Sequence, residues 1–185
     1  MIYSLSLQTV GLIVGALLVA AHLIALLHGG GVRELLARFP RSRAAGVVLL
    51  TIAAVWAFVL VARIDLGEFT PYRPGFLMII AAGYFLTLVF VPEFLAVRAL
   101  GMLCLLAAEP LLEAAFLRPE TSRLLLPVLA YVWIILGIFW IGKPYLLRDQ
   151  IAWLSASKTR WSVAALGGIV YGTAILAAAF MQYGV

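Results

Sequence analysis

Three ionisable side chains, Arg98, Glu109 and Glu113, stand within one apolar stretch of the chain, with Glu93 at its start. On a helix, positions 98 and 109 differ by about 20° around the axis, and 109 and 113 by about 40°. All three therefore share one face. At a rise of 1.5 Å per residue, Arg98 stands about 16 Å from Glu109 and about 22 Å from Glu113. Direct pairing of Arg98 with Glu109 is excluded. The longer distance is also short of a hydrocarbon layer of about 30 Å. If the stretch crosses a bilayer, either Arg98 snorkels inward or Glu109 lies inside the apolar layer. A carboxylate there has to be protonated, paired or hydrated.

Glu109 is followed by Pro110. The proline frees the Leu106 carbonyl and predicts a kink. A carboxylate beside a kink can form an ion or proton site, with Arg98 as its inner counter-charge. The plainer alternative sets Glu109 and Glu113 near the outer boundary, meeting Arg118 or Arg123. Glu93 follows Pro92 and suits a first helical turn, where negative charge complements the dipole.

His22 and His28 are the only histidines. Six residues apart, they face directions about 240° apart on a helix. A haem held by two histidines cannot be built from them within one chain. A metal at His22 would need Glu109 or Cys104 as well. The expectation is a packed, neutral His22, and no cofactor is called for. Cys104 is the single cysteine, which rules out an intrachain disulfide. No nucleotide-binding loop, HExxH pattern, CxxC pair or serine elbow occurs.

The elements that must position these groups follow from composition. Of 185 residues, 65% are hydrophobic and 11% charged, with a mean hydropathy of +1.14. A water-facing globule carries about a quarter charged residues, and disordered chains are poor in apolar ones. A polytopic membrane protein remains. Six runs are long enough to cross a bilayer, at about 5–28, 44–62, 75–91, 94–117, 124–142 and 161–183. They predict an all-α, six-helix transmembrane domain over residues 1–185, arranged as three helical hairpins. The first run has no basic leader and exceeds a signal-peptide core, so it is expected to be a retained span.

The odd connections carry nine Lys/Arg and the even ones four. By the positive-inside rule this puts the odd connections in the cytoplasm and both termini outside. A bacterial inner membrane is the expected location. The net charge of +5 thus serves orientation, not nucleic-acid binding. Each odd span ends in a breaker and an arginine-bearing phrase. That pattern is either a threefold hairpin repeat or ordinary helix-end punctuation. Residues 31–43 and 145–153 mix apolar and basic positions as short amphipathic helices at the headgroup level do.

Small residues recur at Gly11 and Gly15, and at Ala164, Gly168 and Gly172. Such stripes let helix backbones approach closely, either within the chain or between subunits. Tyr131, Trp133, Trp140, Tyr145 and Trp153 crowd the fifth span as interface anchors, with a quinone or lipid groove as the alternative. Between them these features favour a non-catalytic accessory, scaffold or self-associating protein. Its partners would be the bilayer and other membrane subunits or further copies of itself. The alternative is a small transporter or channel working through Glu109, Arg98, Glu113 and His22. An enzyme acting on a lipid or quinone is the third reading.

Overall fold

The computed structural model describes Tyr3 and residues 5–181. Eight α-helices follow one another, with no strand among the described residues: α1 Leu7–Leu27, α2 Gly29–Arg38, α3 Arg43–Arg63, α4 Arg73–Phe90, α5 Leu95–Ala115, α6 Leu125–Gly142, α7 Tyr145–Ser155 and α8 Lys158–Met181. Six of them (α1, α3, α4, α5, α6 and α8) are long and apolar enough to span a membrane. Their ends fall within three residues of the expected ones. Residues 182 and 183, where the sixth span was expected to end, lie outside the described residues.

Local chemistry explains several boundaries. The Ser6 hydroxyl accepts from the Thr9 amide at 3.0 Å and caps α1. Ser42 does the same for Ala45 at 3.2 Å and caps α3. The first amphipathic helix stops at Arg38, earlier than residue 43, because Pro40 cannot extend it. The chain passes instead through a 3-10 turn, Phe39–Arg41, whose Pro40 is fully buried. Glu93 is not in a first helical turn. It is exposed in the turn before α5, and Phe94 precedes the helix in a left-handed conformation at φ 52°.

Helix α1 packs most extensively with α8, and α5 with α6; the contact of α3 with α5 follows, ahead of α3 with α4. The α5–α6 and α3–α4 pairs are hairpins closed by the even connections, and α1–α8 joins the first span to the last. Contacts with α1, α3 and α6 place α5 at the centre. The largest apolar cluster gathers α1, α5, α6 and α8 around Val14, Leu111, Leu126 and Ile175.

Lipid tails are as apolar as leucine, so close packing must hold these helices together. Several of the close approaches are glycine to glycine. A methyl on Gly15 would stand 3.0 Å from the Gly172 carbonyl oxygen and 2.8 Å from Leu176. Gly101 and Gly137 make the corresponding contact between α5 and α6. Gly11 is buried on the same helix as Gly15. Ala164 is exposed and does not belong to the seam, whereas Ala165 is buried. The seam follows spacings of four and three through Trp161, Ala165, Gly168, Gly172 and Ile175, the periodicity of antiparallel left-handed packing. A strict four-residue stripe drifts off it.

Helices α2 and α7 lie side by side at the end of the bundle formed by the odd connections. Trp161 fastens that end. Its indole N–H donates to the Ala25 carbonyl at 2.8 Å, and the Arg33 guanidinium lies over its ring at 4.9 Å.

Candidate functional site

At the opposite end, Glu109 and Glu113 face a cavity of about 660 Å³. Leu112 and Phe116 of the α5 end line it, together with Arg63, Ile64 and Asp65 from the end of α3. The shared helical face expected for 109 and 113 therefore opens onto this space. Arg123 donates to the Ala115 carbonyl at 3.5 Å. The cation lining the cavity is Arg63.

Tyr3 stands over the same region. Its backbone N–H donates to a Glu113 carboxylate oxygen at 3.3 Å. Its hydroxyl accepts from the Trp56 indole N–H at 2.6 Å and also interacts with the Glu109 carboxyl. The segment before α1 is thereby tied to both α3 and α5. Burial raises the Tyr3 phenol above its ordinary value, the Trp56 bond opposes that, and the two glutamates add to it. One carboxylate oxygen of Glu109 is buried without a hydrogen-bond partner among the described residues. A bound cation, a proton or water would satisfy it.

Arg98 lies elsewhere. Its guanidinium donates to the Ile141 carbonyl at 2.6 Å. Ile141 is in the last turn of α6, where carbonyls lack helical partners. Arg98 thus caps a neighbouring helix. The α5 segment between Arg98 and Glu109 carries no charged side chain, so the polar cavity stops short of the basic end.

His22 is remote from both carboxylates. Its Nδ1 is 2.8 Å from the Leu18 carbonyl oxygen. The ring fills the space above Gly168, where a methyl would come within 2.2 Å of it. His22 is a packing residue of the α1–α8 seam. Among the described residues, no group of three or more His, Cys, Asp or Glu side chains could hold a metal.

Arg63 and Asp65 line the cavity, and Tyr3, with Trp56 bonded to it, stands beside it, although sequence spacing does not single them out. A signal existed for one pair only: Arg63 and Asp65 close the second span, on the same side of the layer as Glu113. Tyr3 and Trp56 are 53 positions apart, and nothing local links them.

A second feature is apolar. Helix α4 has no buried residue, and among the other spans only α3 makes substantial contact with it. Between α3, α4 and α5 runs a groove of about 380 Å³, with Ala53, Ala57, Gly83 and Met102 in its walls. At its edge the Thr51 and Tyr84 hydroxyls are 3.0 Å apart, and Thr51 also donates to the Val47 carbonyl. Of the aromatic residues of the fifth span, Trp133 packs against the main apolar cluster. Trp140 donates to Gln150 at 3.0 Å, and Trp153 stacks with Arg160 at 4.6 Å.

No protein-family model, curated protein or solved structure matches the chain. The chain is a six-span integral membrane protein.

Proposed function

We propose that the chain is a non-catalytic membrane subunit or scaffold whose α3–α4 flank receives another membrane protein or a second copy of itself. The supporting observation is α4: an 18-residue span with no buried residue, backed by an open groove. Met78, Ile79, Phe85 and Val89 on α4 are all at least 64% exposed. A ridge of large side chains beside a groove floored by small ones is what an incoming helix packs against. A photo-crosslinker at position 79 or 85 should capture a stoichiometric protein partner, or a second copy, in mild detergent. Capture of lipid alone from both positions would sink the proposal.

In the same proposal the basic end faces the cytoplasm of a bacterial inner membrane and both termini face outward. The nine Lys/Arg of the odd connections support this. Impermeant thiol labelling of cysteines placed at 41 and 123 tests it. Outside access at 41 reverses the orientation.

The cavity at Glu109 supports a second reading, binding of a cation or a cationic solute. Three carboxylates and one arginine line it, which leaves it net negative when all are ionised. Passage through the single chain is less well supported, because the polar lining stops about 16 Å along α5 from Arg98. Glu109→Gln should abolish cation-dependent stabilisation of the purified protein if this reading holds. Stabilisation that survives the substitution would remove it.

A further inference from the structure

Charge divides sharply between the two ends of the bundle. The end bearing α2 and α7 holds nine Lys/Arg against Glu34, Glu93 and Asp149, whereas the other holds four against five carboxylates. At the basic end, Glu34 and Asp149 are already engaged by Arg38 and Arg148. Arg41, Arg43, Lys143, Lys158 and Arg160 are exposed, and none of them is in an ion pair among the described residues. A surface with that surplus of positive charge fits an anionic partner.

One of these cations is held in a set place. Arg160 stands in the first turn of α8, the span that Lys158 opens. Its guanidinium lies over the Trp153 ring at 4.6 Å, and its Nη1 donates to the Trp153 carbonyl at 3.3 Å. The bond uses one of the five N–H donors of the fork. The stacked ring orients the charge without neutralising it. Trp153 itself is 60% exposed. Asp149, one turn earlier on α7, is occupied by Arg148.

Depth and chemistry together name the partner. An exposed tryptophan beside the first turn of a span lies where hydrocarbon gives way to headgroups. Phospholipid phosphates lie at that level, and a guanidinium fork matches two phosphate oxygens. The apolar body of the indole suits the glycerol and first acyl carbons, for which a hydrated free anion has no counterpart. The surrounding cations repel a choline group and so favour a headgroup with net negative charge.

We propose that Arg160 and Trp153 bind the phosphate of an anionic phospholipid, with the guanidinium donating to its oxygens and the indole lying against its glycerol. This site is independent of the α4 flank and of the Glu109 cavity.

Native mass spectrometry of the delipidated full chain tests the site with phosphatidylglycerol, phosphatidylcholine and inorganic phosphate. Phosphatidylglycerol should be retained in preference to phosphatidylcholine, and equal retention would overturn the assignment. Arg160→Gln should weaken phosphatidylglycerol binding about fivefold, the effect of one basic residue at an anionic membrane. Trp153→Ala leaves every charge in place and should weaken it about two- to fivefold, the worth of an exposed contact between a cation and an aromatic face. Arg43→Gln removes an equal charge from the start of α3, which packs on α4 and α5, and should leave binding unchanged. If Arg43→Gln matches Arg160→Gln while Trp153→Ala has no effect, the attraction is diffuse and the site is refuted. If inorganic phosphate displaces the lipid at equal concentration, the ligand is a free anion and the lipid assignment falls.

Discussion

A methyl group on Gly101 would stand 2.7 Å from the carbonyl oxygen of Gly137, and one on Gly137 would stand 2.8 Å from that of Gly101. The two helix backbones therefore touch, and neither glycine can gain a side chain unless α5 and α6 part. Gly101→Ala should lower stability by about 1–3 kcal/mol, the usual cost of overpacking. Gly83→Ala on α4 meets nothing within 4 Å and should be neutral or slightly stabilising. Thermal unfolding in detergent separates the two. An equal response at both sites would contradict the contact.

His22 and Gly168 form a matched pair in the α1–α8 seam, with the ring where a second side chain would sit. Gly168→Ala should destabilise strongly, and the double variant Gly168→Ala with His22→Ala should recover part of the loss. The expected coupling is about 0.5–3 kcal/mol. Additive losses in the double-mutant cycle would mean that the ring is not what the methyl meets.

Arg98 caps α6 and does not serve the cavity. Arg98→Ala should cost about 1.5–3 kcal/mol, the range for a hydrogen bond from a charged donor. Cation-dependent stabilisation through Glu109 should remain. Loss of that response at full folding would show that the two groups are coupled after all.

The cavity opens at one end. In a Cys104→Ser background, a cysteine at position 109 should react with a water-soluble thiol reagent applied from the side of the even connections. A cysteine at position 105, one turn deeper, should stay unreactive. Labelling of position 109 from the basic side would reveal a path through the chain.

Tyr3 ties the segment before α1 to Trp56 and Glu113. Tyr3→Phe should cost about 1 kcal/mol by orphaning the indole N–H and should alter Trp56 emission. Because burial raises the phenol above its usual 10.0, the folded state favours the protonated form. That contribution is fully present below the ordinary phenol range and is lost as pH rises through the raised value. Alkaline absorbance titration should find one tyrosine ionising late, and that late step should vanish in Tyr3→Phe. An unchanged titration would rule the latch out.

Much of the architecture is legible residue by residue. Span positions depend only on the apolar content of about 20 consecutive residues, so boundaries near Arg43, Phe90 and Gly142 follow from local composition. Amphipathic α2 and α7 are visible for the same reason, as is the common face of Glu109 and Glu113. Ala164 shows where this reasoning loses precision: a four-residue stripe and a four-three seam agree for two turns and then diverge.

Local composition determined that the chain crosses a membrane six times, where each crossing lies, and which end carries the positive charge. Tertiary structure alone decided that α1 pairs with α8, that α5 sits at the centre, that Tyr3 links Trp56 to Glu113, and that Arg63 shares a cavity with Glu109 and Glu113. The physical reason is the solvent. In water, hydrophobicity marks the buried face of a helix, but in lipid every face is apolar. The partner of each helix is then chosen by shape, through glycines such as Gly101 and Gly137, and shape complementarity between distant segments has no signature in either segment alone.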